Sequence, residues 1–272
     1  MEIGSDAHKD LFCHTFLEGH RVYEPKDLPW PDLGPETLAL LRGIPFWDFA
    51  LQAETDAGPM VHAAARREAD PLVRDALALQ GEEETRHARI IRHMIEIYGL
   101  EVADARPAPP RDALAAYVDF GFEECLDSFG AFGLFALARE SKLVPDPLFE
   151  IFDRVMDEEA DHIVFFVNWF AWRESRRGAL ADWLRVPRSL WHYGKALGHL
   201  AALLRGGDEG EGEAFTLTGA RAFVDGLTPR LVLEASLEQN RRRMAPFDDR
   251  LLQPRLLPAL ARAGVAALRG LR

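Results

Sequence analysis

Two segments of this chain repeat one pattern, and the repeat restricts the fold more than any other feature of the sequence. The tripeptide DPL at 70–72 precedes EEETRH at 82–87, and the tripeptide DPL at 146–148 precedes DEEADH at 157–162. The interval from the first Asp to the last His is 17 residues in one copy and 16 in the other. A duplicated pair of helices predicts helical packing with approximate twofold symmetry.

Helical periodicity dominates the chain, whereas the alternation typical of strands does not persist anywhere. We predict helices over 36–98, with breaks at 43–45, 58–59 and 70–71, and then over 112–142 and 148–176. Prolines make residues 105–111 a connector. The sequence therefore predicts an all-α protein with a four-helix bundle over residues 37–178.

The two ends of the chain differ from this central region. Four prolines between residues 25 and 35 predict an irregular N-terminal arm over residues 1–36. Residues 179–272 are predicted to form a helical C-terminal extension, with helices over 182–204, 219–243 and 255–271. A flexible acidic loop is expected at 206–212.

The repeated segments carry paired Glu and His residues at helical spacing. Glu84 and His87 are three residues apart, as are Glu159 and His162, so each pair shares one face of its helix. The neighbouring residues on both faces are mainly apolar, which predicts that the faces turn inward. A buried carboxylate is unfavourable unless it is paired or binds a metal. Metal binding is therefore one interpretation, and a buried Glu–His hydrogen bond in each helix is the other.

The other two predicted helices supply further carboxylates. Glu54 is a single charge on an apolar stripe, and Pro59 is expected to kink or restart its helix. In the third helix Glu124 lies on an apolar face and Glu123 on an acidic one, so we predict that Glu124 turns inward. Tyr117, two turns before Glu124, is either a core residue or a redox neighbour.

The six predicted ligands follow the order Glu, Glu-x-x-His, Glu, Glu-x-x-His. They are Glu54, Glu84, His87, Glu124, Glu159 and His162. Over about residues 45–176 this order resembles the ferritin-like superfamily of di-iron and di-manganese carboxylate proteins. The resemblance implies a ferritin-like four-helix bundle holding two iron ions, with manganese or a mixed manganese–iron pair as the alternative.

Each motif glutamate follows another acid, Glu83 in the first copy and Glu158 in the second. The run at 83–87 resembles the Asp-Glu-x-Arg-His motif of bacterial multicomponent di-iron monooxygenases, with Glu in place of Asp. A metal-bound histidine needs an acceptor for its second ring N–H. If the motif helices are antiparallel neighbours, Glu83 should accept the hydrogen bond from His162, and Glu158 should accept the one from His87.

The residues after the motif glutamates differ between the two copies. Asp161 stands in the second copy where the first has Arg86. Their opposite charges predict that Arg86 and Asp161 pair across the same seam between the motif helices. The alternative is that these two residues, like Glu83 and Glu158, are solvated surface charges.

The resemblance implies an O2-dependent di-iron oxidase or oxygenase. Such an enzyme would carry out hydroxylation, desaturation or N-oxygenation of a small organic substrate, and it would need an electron donor protein or a reductant. The extension could build a substrate chamber, and a homodimer is compatible with the sequence. One alternative is iron or manganese handling, by storage, ferroxidase activity or peroxide detoxification. Another is a helical interaction protein with a vestigial site.

Composition argues against other classes of function. The net charge of -12 disfavours nucleic acid as a partner, because phosphate binding needs a basic surface. Cys13 and Cys125 lack partners at metal-ligand spacing, and two cysteines do not make a disulfide framework. The N-terminus lacks the basic-then-apolar pattern of a signal peptide, and no run of 18 apolar residues occurs. We therefore expect no membrane span and a cytoplasmic location.

Overall fold

The computed structural model describes residues 1–44, 47–108, 110–179, 183–206 and 227–270. Over these residues the chain is all-α, as predicted, with nine α-helices, one short 3₁₀-helix at Pro25–Asp27 and no strand. The α-helices are α1 (Asp6–Gly19), α2 (Pro35–Arg42), α3 (Trp47–Ala65), α4 (Pro71–Tyr98), α5 (Ala113–Glu140), α6 (Asp146–Arg176), α7 (Arg185–Gly206), α8 (Pro229–Met244) and α9 (Leu256–Gly270). The expected loop at 207–212 and helical residues 219–226 lie outside the described ranges.

The two copies of the repeat both begin helices, but they do so differently. Asp70 caps α4, because its side chain accepts hydrogen bonds from the backbone N–H groups of residues 72 and 73. The helix ends at Gly99, which adopts a left-handed conformation with φ of 59°. Asp146 is instead the first residue of α6 and makes ion pairs with Arg139 and Lys142.

The predicted break at residues 58–59 is wrong, because α3 runs without interruption from Trp47 to Ala65. Pro59 lacks the N–H that would reach the carbonyl of Thr55. Close packing on α4 compensates for this loss: a Cβ atom at Gly58 would lie 2.3 Å from the Oγ1 atom of Thr85. The absence of a side chain at residue 58 therefore lets α3 approach α4 closely.

Residue pairings give the directions of the helices. Residue 58 lies against 85 and residue 62 against 81, so α3 and α4 are antiparallel. The hydrogen bonds from residue 162 to 83 and from 87 to 158 make α4 and α6 antiparallel. Helix α5 packs against both α6 and α3. This arrangement is compatible with a four-helix bundle.

A long connector joins α4 to α5 and runs beside α3. Backbone N–H groups of residues 103, 106 and 108 donate in turn to the side chains of Asp48, Gln52 and Asp56. These acceptors are four residues apart and therefore lie on one face of α3. The connector thus returns the chain along α3, so α5 starts beside the end of α3 and runs antiparallel to it.

The expectation of an irregular arm is wrong for residues 6–19, which form α1. The arm's prolines all lie beyond residue 24, so none interrupts this segment, and the Ser5 side chain caps the helix. Phe12 and Phe16 pack against Phe165 of α6, and His8 hydrogen-bonds Asn168 over 2.9 Å. Helix α1 therefore covers the seam between α4 and α6.

Helices α7 to α9 add a second layer to the core. Helix α7 packs on α5, while α8 packs on α5 and α9. A Cβ atom at Gly133 of α5 would lie 2.5 Å from the backbone nitrogen of Ser236, so α8 approaches α5 closely. In the described ranges no helix is long and apolar enough to cross a membrane. The division into an arm over 1–36, a bundle over 37–178 and an extension over 179–272 stays a prediction.

Candidate metal centre

Four helices bring the six predicted ligands into one buried cluster. Ligand atoms of Glu54, Glu84, His87 and Glu159 all lie within 4.8 Å of one another. Glu124, Glu159 and His162 form a second such group, which shares Glu159 with the first. The cluster therefore takes residues from α3, α4, α5 and α6, and its two groups adjoin at one carboxylate.

The two histidines are held in reciprocal positions. The Nδ1 atom of His87 lies 3.1 Å from Oε1 of Glu159 and 3.7 Å from Oε2 of Glu84. The Nδ1 atom of His162 lies 3.1 Å from Oε1 of Glu84 and 3.7 Å from Oε2 of Glu159. Each imidazole is thus closer to the glutamate of the other motif, so both glutamates lie between the two rings.

The opposite ring nitrogens are fixed by carboxylates outside the cluster. The Nε2–H of His87 donates to Glu158 over 2.8 Å, and the Nε2–H of His162 donates to Glu83 over 2.9 Å. The structure therefore contains both hydrogen bonds expected from the sequence. Because Nε2 carries the proton in each neutral ring, Nδ1 has a free lone pair that points toward the cluster.

Unpartnered buried atoms test whether this cluster fits a metal. The Nδ1 atoms of His87 and His162 and the Oε2 atom of Glu159 are buried and have no hydrogen-bond partner in the described part of the chain. Such atoms are unfavourable in a core unless something occupies the space between them. Imidazole nitrogen and carboxylate oxygen are ligands of iron, manganese and zinc. The donor set therefore fits a transition-metal ion.

The protonation of the cluster leads to the same conclusion. Burial opposes the charged imidazoles, but the surrounding carboxylates hold the pKa of His87 and His162 well above its ordinary value. Burial raises the pKa of Glu54 to about 7, and burial with the charge of Glu159 raises the pKa of Glu124 well above its usual range. A metal ion bound in the cluster would therefore compete with protons for these groups.

The two adjacent glutamates of α5 have different surroundings. Glu124 belongs to the cluster, whereas Glu123 accepts a hydrogen bond from His199 of α7 over 2.7 Å. The apolar-face argument therefore predicted which glutamate of this pair lies in the cluster. Glu123 instead contributes to the contact between α5 and α7.

The residues that surround Glu83 and Glu158 come partly from the N-terminal arm. Glu158 also accepts hydrogen bonds from Tyr23, over 2.9 Å, and from Arg86, over 2.7 Å. Glu83 also accepts one from His20 over 2.6 Å. Sequence reasoning missed Tyr23 and His20, because an irregular segment has no periodicity that assigns its side chains to a face.

The predicted pairing of Arg86 with Asp161 is wrong. The Arg86 guanidinium donates to Glu158 and lies 3.6 Å from Glu83. These two carboxylates neutralise its charge. Asp161 faces the arm near Gly19, and burial raises its pKa to about 7. Equivalent positions in the repeat therefore have different partners.

A third residue missed from the sequence is Gln80, one turn before Glu84 on α4. Its side-chain amide donates to Oε1 of Glu84 over 3.1 Å and its carbonyl accepts from the Tyr117 hydroxyl over 2.8 Å. Gln80 was detectable in principle, since residues four apart share a helix face. Tyr117 is fully buried, and its hydroxyl is linked to Glu84 of the cluster through Gln80.

A cavity of about 300 Å³ adjoins the cluster between α3, α4, α5 and α6. Glu54, His87, Glu124 and Glu159 form part of its wall, so four of the six predicted ligands face it. Most of the remaining wall is aliphatic or aromatic. The cluster is therefore accessible from an apolar chamber.

Comparisons with known proteins identify no relative: no protein-family model, curated protein or solved structure matches this chain. A functional assignment must therefore come from the chemistry of the centre itself.

Proposed function

We propose that this chain is a ferritin-like, O2-dependent oxidase or oxygenase with two iron ions in the buried cluster. The observation that carries the proposal is the pair of orphaned Nδ1 atoms of His87 and His162, which face four glutamates from four helices. A purely structural pairing would give each Nδ1 a carboxylate aligned for a hydrogen bond, whereas here the carboxylate oxygen 3.1 Å from each Nδ1 forms none. Here Nε2 is used instead, and Nδ1 remains available as a ligand.

The topology supports the ferritin-like part of the proposal. Helices α3, α4, α6 and α5 follow one another around the cluster, and each neighbouring pair is antiparallel. The long connector between α4 and α5 is the single crossover that distinguishes ferritin-like folds from simple up-and-down bundles. One Glu each from α3 and α5 and one Glu-x-x-His each from α4 and α6 complete the pattern.

The residues divide into two groups by the metal ion that they would hold. Glu54 and His87 lie on one side and Glu124 and His162 on the other, while Glu84 and Glu159 lie between the histidines and could bind either ion. When bound, a reduced iron pair would supply the electrons that activate O2. The protein's own contribution is to fix the donors, exclude water and orient both imidazoles through Glu83 and Glu158.

The apolar cavity favours an oxygenase over iron storage or peroxide removal. An ion or peroxide needs a polar path, whereas an organic substrate needs an apolar space beside the reacting centre. The cavity has this character, and it reaches Glu54, Glu124 and Glu159. Manganese or a mixed manganese–iron pair would satisfy the same ligands.

Metal analysis and O2 uptake test the proposal together. Protein expressed with iron should contain about two iron ions per chain, as six ligands of this pattern imply. Protein that has been reduced anaerobically with a chemical reductant should then consume O2 at a rate proportional to its bound iron. Protein without a bound transition metal would contradict the proposal, as would iron-loaded protein that leaves O2 unchanged. Rapid peroxide turnover by a large hollow assembly would instead indicate metal handling.

A further inference from the structure

We infer that the cavity beside the cluster binds an uncharged, elongated hydrocarbon group. The inference rests on the proposed function, because it names the class of substrate that the same centre would act on. Four features of the cavity support this inference: its shape, the distribution of its polar groups, its charge and its opening.

The cavity is long compared with its volume. On α6 its wall extends from Leu148 to Glu159, which is about 16 Å at a rise of roughly 1.5 Å per residue. Its volume of about 300 Å³ is twice that of the ~150 Å³ apolar cavity that holds a benzene ring. An extended chain therefore fits this space better than a bulky or globular molecule.

The polar groups of the wall are confined to one end. They are Glu54, His87, Glu124, Asp127, Ser128 and Glu159. From this end the wall continues through aliphatic and aromatic side chains to Ile44, Val144 and Leu148, which are all buried and close the far end. A ligand would thus place its apolar end in the closed part and its reacting atoms beside the cluster.

The charge of the wall disfavours anionic ligands. Neither lysine nor arginine occurs among the described residues that line the cavity, and His87 is already paired with glutamates. Two ferrous ions in the cluster would be offset by its four glutamates, so a ligand carboxylate would lose its hydration without gaining a net counter-charge. A neutral head group avoids this cost. Free fatty acids and acyl phosphates are therefore disfavoured relative to neutral molecules with the same chain.

The opening lies beside the polar end. Ala53 of α3 and Asp127 of α5 line the cavity next to candidate ligands and are exposed, as is Phe49 about one turn before Ala53. The residues Ile44, Val144 and Leu148 at the far end are buried. A ligand that enters here passes the cluster before its tail reaches the closed end. The length of chain that fits is therefore set by the far end, which includes Ala138 of α5 and Leu148 of α6.

Straight-chain alcohols from hexanol to undecanol, titrated calorimetrically into metal-free and metal-loaded protein, test the inference. Each methylene buried contributes about 0.8 kcal/mol, so affinity should rise about fourfold per carbon until the chain reaches the closed end. Metal-free protein should bind decanol at least about tenfold more tightly than decanoate. Equal affinity of the metal-free protein for decanol and decanoate, or affinity independent of chain length, would overturn the inference.

Two variants should move the optimal chain length in opposite directions. Ala138→Phe fills the closed end and should shift the optimum to shorter chains, and Leu148→Ala should shift it to longer ones. The matched control is Ala115→Phe, which adds the same ring to an exposed position of α5 away from the cavity. If Ala138→Phe does not fold, the smaller substitution Ala138→Leu takes its place. An unchanged optimum in correctly folded variants of both positions contradicts the assigned cavity.

The experiment separates this inference from the proposed function. Chain-length-dependent alcohol binding by protein that takes up no metal would overturn the proposed function and leave the apolar binding site standing. Iron uptake and O2 consumption without alcohol binding would overturn only the substrate class.

Discussion

The Oε2 atom of Glu83 lies 2.9 Å from the Nε2 atom of His162, and this hydrogen bond joins α4 to α6 across the candidate metal centre. A matching bond joins Glu158 to His87 over 2.8 Å. Together they fix both imidazoles with Nδ1 directed at the cluster.

Glu84→Ala and His162→Ala should sharply reduce metal content. Glu84 lies between both imidazoles, and His162 supplies one of the two orphaned nitrogens, so each substitution removes a ligand for which the cluster has no substitute. Elemental analysis after expression with iron provides the measurement. Glu82→Ala is the control, because Glu82 is an exposed acid of the same helix. Full occupancy in both cluster variants would show that the ligands are assigned wrongly.

Glu124→Gln should lower metal content, whereas Glu123→Gln should not. Glu124 lies in the group with Glu159 and His162, while Glu123 is bonded to His199 on the outer side of α5. Loss of one group should leave about one ion of the two. The opposite result, with metal lost only from Glu123→Gln, would mean that α5 is rotated by one residue from the position described.

Glu83→Ala and Glu158→Ala should keep the fold and weaken metal binding by about 10–100-fold, the usual effect of removing an acceptor behind a histidine ligand. Competition with a chelator of known affinity measures this change, and circular dichroism checks the fold. Glu83→Asp and Glu158→Asp, which retain a carboxylate, should recover part of the affinity. If the alanine variants bind metal like the parent, these hydrogen bonds have no role in positioning the histidines.

Glu158→Ala should also lower the free energy of unfolding more than Glu83→Ala does. Glu158 is the closest partner of the buried Arg86 guanidinium, so its removal leaves a buried charge poorly compensated. The added cost is about 1–3 kcal/mol, the penalty for an unsatisfied buried polar group. Urea denaturation of the metal-free proteins provides the comparison. Arg86→Met in the Glu158→Ala background should recover part of the loss, because the unpaired charge is then absent.

His8 should make stability depend on pH. Burial lowers the pKa of His8, whose Nδ1 accepts from the backbone of Gly4 while Nε2–H donates to Asn168. Because the unfolded chain then binds the proton more readily, the His8 contribution is complete above about pH 6.5 and is lost as the pH falls toward the lowered value. Thermal unfolding between pH 8 and pH 5 should therefore show a smaller decrease in Tm for His8→Phe than for the parent. Parallel curves would mean that His8 does not titrate differently on folding.

Much of the candidate centre could be predicted from the sequence because its Glu and His residues follow helical periodicity. The spacing in each Glu-x-x-His motif places both side chains on one face, and the apolar neighbours of Glu54 and Glu124 show that these faces turn inward. The acids at 83 and 158 were predictable for the same reason, since a residue next to a motif glutamate points to the side of the site. These inferences need only the geometry of a single helix and the cost of burying charge.

The contacts around the centre could not be predicted in this way, because they depend on which surfaces meet. The sequence does not reveal that α1 and the segment after it cover the seam and bring His20 and Tyr23 to Glu83 and Glu158. It also predicted a break at Pro59, where packing on α4 keeps α3 continuous.

The sequence by itself determined the all-α class and the residues that can act as ligands, because both follow from local periodicity and chemical type. Only the tertiary structure decided that Arg86 neutralises Glu158 instead of Asp161. It alone also showed that an apolar cavity opens beside Glu54 and Glu124. Both features arise between helices that are distant in the chain, where small differences in approach and direction determine which side chains come into contact.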